Sequence, residues 1–416
     1  MIRKILHTSD WHIGRRLKEH DRTDEFTNFF GWLEKLILTE NIDTLLVSGD
    51  IFDNTTPSVP AQKVYYSFLT ALAKSPCRHT VIISGNHDSP AFLDAPAELL
   101  GLSDIHVIGQ ACENPADEVI SLKDSDGNTE LIVCAVPFLR DKDVRTAKSD
   151  DSFEEIERSL KAGIAGHYSE VFDHAKALQG DSGVPVVAMG HMFLDKGRVQ
   201  KDEGERSLYV GTAVKMNSNI FPEWLAYTAL GHLHSPQSIG SENIRYSGSP
   251  IAMTFAEAEG TKSVSIVEFD DKSLAGVKEI PVPVFQKLTH IEGTLPDIED
   301  KIRSLGLMNE SIWLDVSYTG SEPELDLHER VHDFAKDFRK LEILAVHDEN
   351  IAVVTDTIGS EVVSLDEISP LKMFEKILNT KDITDDDKAV FTQMYEETLR
   401  QAEEILRNEE MKEAAI

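Results

Sequence analysis

Five short apolar runs, each breaking off into a cluster of Asp, Asn and His, constrain the fold of this 416-residue chain more than any other feature. The run Lys4-Ile5-Leu6-His7 leads to Ser9-Asp10-Trp11-His12-Ile13-Gly14, and Thr44-Leu45-Leu46-Val47 leads to Ser48-Gly49-Asp50-Ile51-Phe52-Asp53. Thr80-Val81-Ile82-Ile83 precedes Gly85-Asn86-His87-Asp88, and Val184-Pro185-Val186-Val187-Ala188 precedes Gly190-His191. Leu225-Ala226-Tyr227-Thr228-Ala229-Leu230 precedes Gly231-His232-Leu233-His234. Short apolar runs between helical stretches read as buried strands of an α/β sheet. The loops beyond the carboxyl ends of such strands converge on a ligand site.

The residue types point to a divalent metal. Carboxylate and amide oxygens with imidazole nitrogens make a mixed shell suited to manganese, iron or zinc. The glycines beside them let the backbone turn sharply and approach closely. D-x-H and H-x-H spacing places two side chains on one side of an extended segment. Cys77, Cys112 and Cys134 are widely spaced and outside the clusters, so neither a structural zinc nor a disulfide framework is indicated. A lone GNHD or Gly-His is most often a polar turn; the force lies in five such blocks in chain order.

Length implies two or three domains at roughly 150 residues each. With no apolar run of about 18 residues and no signal-peptide stretch at the start, a reducing cytoplasm is the simplest home. The net charge of −32 argues against a free-standing nucleic-acid binder, because phosphate contacts need Lys and Arg. It permits a basic partner, or a metal that supplies positive charge locally. Thr23 is a plausible N-cap for a helix carrying Phe26, Phe29, Phe30, Leu33 and Ile37, and further helices are expected near 60–74 and over 152–179. Pro281 and Pro283 mark a joint, after which a small βαβαβ unit and then acidic helices follow. The expected division is 1–280, 281–350 and 351–416.

The blocks D-x-H, G-D-x-x-D, G-N-H-D, G-H and G-H-x-H resemble the signature of the calcineurin-like metallophosphoesterase superfamily. That resemblance implies a two-sheet sandwich flanked by helices and a pair of metal ions. By it, Asp10, His12 and His234 hold the first metal, Asn86, His191 and His232 hold the second, and Asp50 bridges them. His87 faces the phosphate as the catalytic group, and Asp88 orients His87. The flanks Ile5 to Arg15, Val47 to Asp53, Ala135 to Arg140 and Tyr246 to Pro250 look like the SbcD-type nuclease family, with a capping domain after residue 280.

This likeness implies manganese (magnesium, iron or zinc as alternatives) and cleavage of double-stranded DNA ends and hairpins. It also implies an SbcC-type coiled-coil ATPase as partner, a homodimer within a heterotetramer, and a nucleoid-associated place in the cytoplasm. The chain has no Walker A sequence, so ATP dependence must come from the partner. Arg15, Arg16, Lys18 and Arg22 beside the first loop are read as phosphate contacts, Arg15 and Arg16 foremost. Arg140, Lys142, Arg145 and Lys148, and Lys196, Arg198 and Lys201, are divided evenly between phosphate contacts and solvated surface. Trp11 is read as a loop wedge at the site, and Trp32, Trp224 and Trp313 as core. The stripe Phe391, Met394, Tyr395, Leu399, Ala402, Ile405 and Leu406 would dock on the ATPase or pack on the chain's own core. The alternatives are a small-molecule phosphomonoesterase or cyclic-nucleotide phosphodiesterase, and a non-catalytic scaffold, whose expected sign, degraded ligands, is not seen in this sequence.

Overall fold

The computed structural model describes residues 4–144, 152–198, 214–308 and 310–349, except 323 and 325. Arg145, Lys148, Lys201 and the apolar stripe of 391–406 lie outside the described residues. The chain divides into two compact units, one spanning Met1–His290 with Ser311–Trp313, the other taking Ile291–Glu310 and the chain from Leu314.

The first unit contains two six-stranded sheets. One has the order β12-β11-β1-β2-β3-β4, built from β1 (Lys4–Thr8), β2 (Thr44–Ser48), β3 (His79–Ile83), β4 (Ile105–Ile108), β11 (Ser263–Asp270) and β12 (Ser273–Pro281). The other has the order β5-β6-β7-β8-β10-β9, from β5 (Val119–Lys123), β6 (Thr129–Ala135), β7 (Val186–His191), β8 (Tyr227–Gly231), β9 (Gln237–Ile239) and β10 (Ser241–Tyr246). Strands β1 to β4 run parallel, as do β6, β7, β8 and β10. Antiparallel strands close the edges at β12, β5 and β9.

The apolar runs are continuous because these strands are buried on both faces, and the two-residue period assigns each side chain to a layer. Along β2, Leu46 faces the core between the sheets, while Leu45 and Val47 face helices α1 (Thr23–Glu40) and α2 (Val59–Leu72). Along β6, Leu131, Val133 and Ala135 enter the inter-sheet core, while Ile132 and Cys134 pack under α3 (Phe153–Gln179). The result is a helix–sheet–sheet–helix sandwich. Helix α3 opens on a capping box, Ser152 accepting from the Glu155 amide and the Glu155 carboxylate accepting from the Ser152 amide. No helix among the described residues is long and apolar enough to cross a membrane.

Two local expectations change. The N-cap of α1 is Arg22 rather than Thr23, and the Thr23 amide donates to Asp21. Trp11 is fully buried, with its ring edge-on to Phe30 and Phe68 and its Nε1–H donated to Thr8, so it fills the core under α1 and α2 instead of wedging into the site. Trp32 and Trp224 pack against the cores as half-buried residues.

Beyond residue 286 the chain follows a βαβαβ pattern: β13 (Lys287–Gly293), α4 (Leu295–Gly306), β14 (Ile312–Tyr318), α5 (Leu327–Ala335) and β15 (Leu341–Asp348), with sheet order β13-β14-β15.

Candidate metal centre

Five of the parallel strands, β1, β2, β3, β7 and β8, deliver their carboxyl-end side chains to one place. Backbone bonds lock the first two loops together: the Asp10 amide donates to Gly49 O (3.0 Å) and the His12 amide to Asp50 O (2.9 Å). Asp10, His12 and Asp50 all stand in the left-handed region, with φ of 51°, 48° and 49°, and His232 has φ 102°. The segments are thus not extended as the D-x-H spacing suggests. These four residues are held in a conformation that L-residues avoid, a strain that only well-determined surroundings sustain. At Gly85 a Cβ would overlap the Asp50 carboxylate and amide, and at Gly49, with φ +84°, it would overlap the His191 ring. Only glycine lets these loops close on one another.

Asp10, His12 and His234 present ligand atoms within 4.8 Å of one another, and so do Asp10, Asp50 and His191. Asp50 Oδ2 lies 3.5 Å from His12 Nε2 and 3.4 Å from His191 Nε2, which places this carboxylate between the two halves. Asn86 Oδ1 is 3.1 Å from both His191 Nε2 and His232 Nδ1. Asp10 accepts from the His232 amide and from Ser9 Oγ.

A divalent cation fits this donor set. His191 turns Nδ1 to the Ser48 carbonyl at 2.9 Å, so Nδ1 carries the ring proton. Its Nε2 lone pair then faces the Asp50 and Asn86 oxygens, an electron-rich cluster that needs positive charge among its members. The same holds for His234, whose Nδ1 meets Glu257 Oε1 at 2.8 Å while Nε2 lies 3.1 Å from His12 Nε2. Protons respond to the same field. Burial disfavours the charged His191 ring, yet the Asp50 carboxylate beside it wins and raises it to about 9. Burial drives His232 down to about 3, with His191 adding to the effect. Burial opposes ionisation of Asp50, but the His191, His12 and His87 rings hold its carboxyl well below the usual range.

His87 is half-buried beside this cluster, its ring edge-on to His12 at 4.9 Å. Its amide donates to Asp50 Oδ1 (2.9 Å), and its Nδ1 meets the Asp53 carbonyl at 2.9 Å. Asp88 does not orient this ring as the resemblance implies. It accepts from the amides of Gly85, Ile51 and Phe52 and so ties the β2 loop to the β3 loop. Burial and the Asp50 charge push Asp88 up to about 6 against those three amides.

The basic residues divide. Arg15 meets Asp53 Oδ1 at 3.1 Å with its side chain 40% exposed, at the rim. Arg16 is exposed and bonds to Glu19 in its own loop. Arg22 is not a phosphate contact: its side chain is fully buried against Glu25 at 2.7 Å. Arg140 donates to the Asp88 carbonyl at 3.0 Å and so reaches the site's back wall. Lys18, Lys142, Lys196 and Arg198 are exposed. Sequence reading missed Glu257 and Lys262, which lie behind His234 and belong to no strand-end block.

Residues 3–236 match the model of the calcineurin-like phosphoesterase family. Residues 284–382 match the type 5 capsule protein repressor C-terminal domain. Curated SbcD components of the SbcCD nuclease are similar along most of the chain. The Escherichia coli (strain K12) protein is 29% identical, covering 95% of this chain and 98% of its own. The Rhodobacter capsulatus protein is 32% identical over 70% of this chain and 73% of its own. The Bacillus subtilis protein is 33% identical over 64% and 66%.

Proposed function

Because the chain belongs to the calcineurin-like phosphoesterase family, and within it to the SbcD nucleases, we propose that it is the metal-dependent nuclease component of an SbcCD-type complex. It hydrolyses phosphodiesters at double-stranded DNA ends and hairpins. The observation that carries this reading is the convergence of donor atoms from Asp10, His12, Asp50, Asn86, His191, His232 and His234 on one spot. Asp10, His12 and His234 would hold one ion and Asn86, His191 and His232 the other, with Asp50 available to both. Manganese suits the mixed carboxylate, amide and imidazole shell.

Bound divalent ions supply Lewis acidity for the phosphoryl oxygens and make water nucleophilic at neutral pH. The chain's own groups do the rest. Asp50 keeps its charge because three imidazoles surround it. His87 bonds through Nδ1 to the Asp53 carbonyl, which leaves Nε2 as the ring atom to hold a proton for the leaving oxygen. Arg15, steadied by Asp53 at the rim, is placed to meet a DNA phosphate.

A net charge of −32 makes a DNA grip by this chain alone weak, which supports reliance on an SbcC-type ATPase partner. Pairing of two copies through the helices near 60–74 and 90–102 is supported by exposed Val59, Leu99 and Leu102. The segment 351–416 is the proposed contact with the ATPase.

The test is incubation of the purified chain, with and without its ATPase partner, with linear and hairpin duplexes in manganese. Cleavage of DNA supports the reading. Hydrolysis of phosphodiester model compounds with no DNA cleavage under either condition keeps the metal site and overturns the substrate.

A further inference from the structure

The run Tyr246–Pro250 carries none of the seven proposed ligands, yet it closes on His234. The Ser249 amide donates to the His234 carbonyl at 3.1 Å. Ser249 Oγ donates to Glu257 Oε2 at 3.2 Å. The Met253 amide donates to the same Glu257 oxygen at 3.0 Å. Lys262 Nζ completes the knot, reaching Glu257 Oε2 (2.6 Å), Ser249 Oγ (2.8 Å) and the His234 carbonyl (3.1 Å). The Glu257 side chain is 1% exposed and that of Lys262 10%. Glu257 Oε2 is thereby occupied three times over, and Oε1 is left for one purpose, the His234 Nδ1 at 2.8 Å. A carboxylate can only accept, so Nδ1 must carry the proton and Nε2 must turn its lone pair to the site. The outward nitrogen of His191, by contrast, meets the neutral carbonyl of Ser48 at 2.9 Å. The two halves of the centre are therefore backed by unlike partners.

We propose that Glu257, anchored by Lys262, is a positioning residue for one metal position only: it fixes the tautomer and orientation of His234 and so makes the two positions unequal in affinity. A carboxylate behind an imidazole raises the donor strength of the ring as well as orienting it. The position served by His234 is the tighter one and fills first. This inference rests on the two-metal reading above.

The test is calorimetric titration of the metal-stripped full chain with manganese(II) chloride, alongside thermal melting without metal. The normal chain takes up two ions in distinguishable steps. Glu257→Ala weakens one step by about 10–100-fold and leaves the other. Glu257→Gln, which keeps an acceptor for His234, loses less. In a His234→Ala background, Glu257→Ala adds no further loss, because its effect runs through that ring. The proposal is overturned if Glu257→Ala binds both ions as the normal chain does, if its loss adds fully to that of His234→Ala, or if both steps weaken together with a fall in the metal-free melting temperature. A normal chain that takes up no manganese overturns the two-metal reading itself, and the two failures are thus told apart.

Discussion

The Nε2 atoms of His12 and His234 stand 3.1 Å apart, although His234 has its other ring nitrogen engaged by Glu257. Two ring nitrogens that close require a proton or a cation to reconcile them. Asp10 lies within reach of both, and the Asp50 carboxylate stands between this pair and His191. The site is built to share positive charge.

Replacing Asp50 with Ala removes a carboxylate that lies 3.5 Å from His12 in one half and 3.4 Å from His191 in the other. Turnover on DNA should fall by at least about 10³-fold, and uptake of the second metal ion should be lost. Single-turnover cleavage of a labelled duplex with parallel metal analysis checks both.

His87 contacts the cluster through its amide and ring edge, but stands outside the proposed ligand set. His87→Ala should retain both ions and lose about 10²–10⁴-fold in kcat, the range for a group that handles a proton. Loss of metal along with activity would assign His87 to the ligand shell instead.

Arg22 and Arg15 lie seven positions apart in sequence and should behave oppositely. Arg22→Ala leaves Glu25 charged and buried, which costs about 3–5 kcal/mol; burial already raises Glu25 above its usual range despite Arg22. Its melting temperature should drop. Arg15→Ala should leave the melting temperature unchanged and weaken DNA binding, lowering the salt slope by about one ion. Melting curves and binding isotherms at several salt concentrations separate the two.

His7 lies fully buried with Nδ1 3.0 Å from the Tyr227 hydroxyl. Burial lowers it from 6.5 to about 3, the Leu230 backbone resisting and Arg245 adding to the shift. The folded state holds the neutral ring while the unfolded chain takes up a proton below 6.5. The stability is therefore complete above pH 6.5 and is lost progressively as pH falls from 6.5 towards 3. His7→Gln should flatten that part of the stability–pH curve, measured by melting across the range.

Much of the site was legible because each proposed ligand directly follows an apolar run, and parallel strands put all such ends on one side. The layers were legible for the same reason: Leu45, Leu46 and Val47 alternate between two cores, so both faces had to be apolar. What escaped depends on which partner each side chain takes in the fold. Glu257 lies 23 positions beyond His234 on a short 3-10 turn with no periodicity to mark it. Arg22 resembled its exposed neighbours until Glu25 was seen to bury it. Asp88, one position from His87, looked like its orienting partner, yet it turns to backbone amides across the loop. A tetrapeptide fixes residue types, whereas the direction each side chain takes is set by the neighbouring loop.

The most direct test is the anomalous-difference map of a crystal soaked in manganese. Two peaks about 3.5–4 Å apart, with Asp50 touching both and His234 touching only one, are the predicted result. A single peak, or two peaks that leave Asp50 without contact to either, would contradict a binuclear centre bridged by this carboxylate.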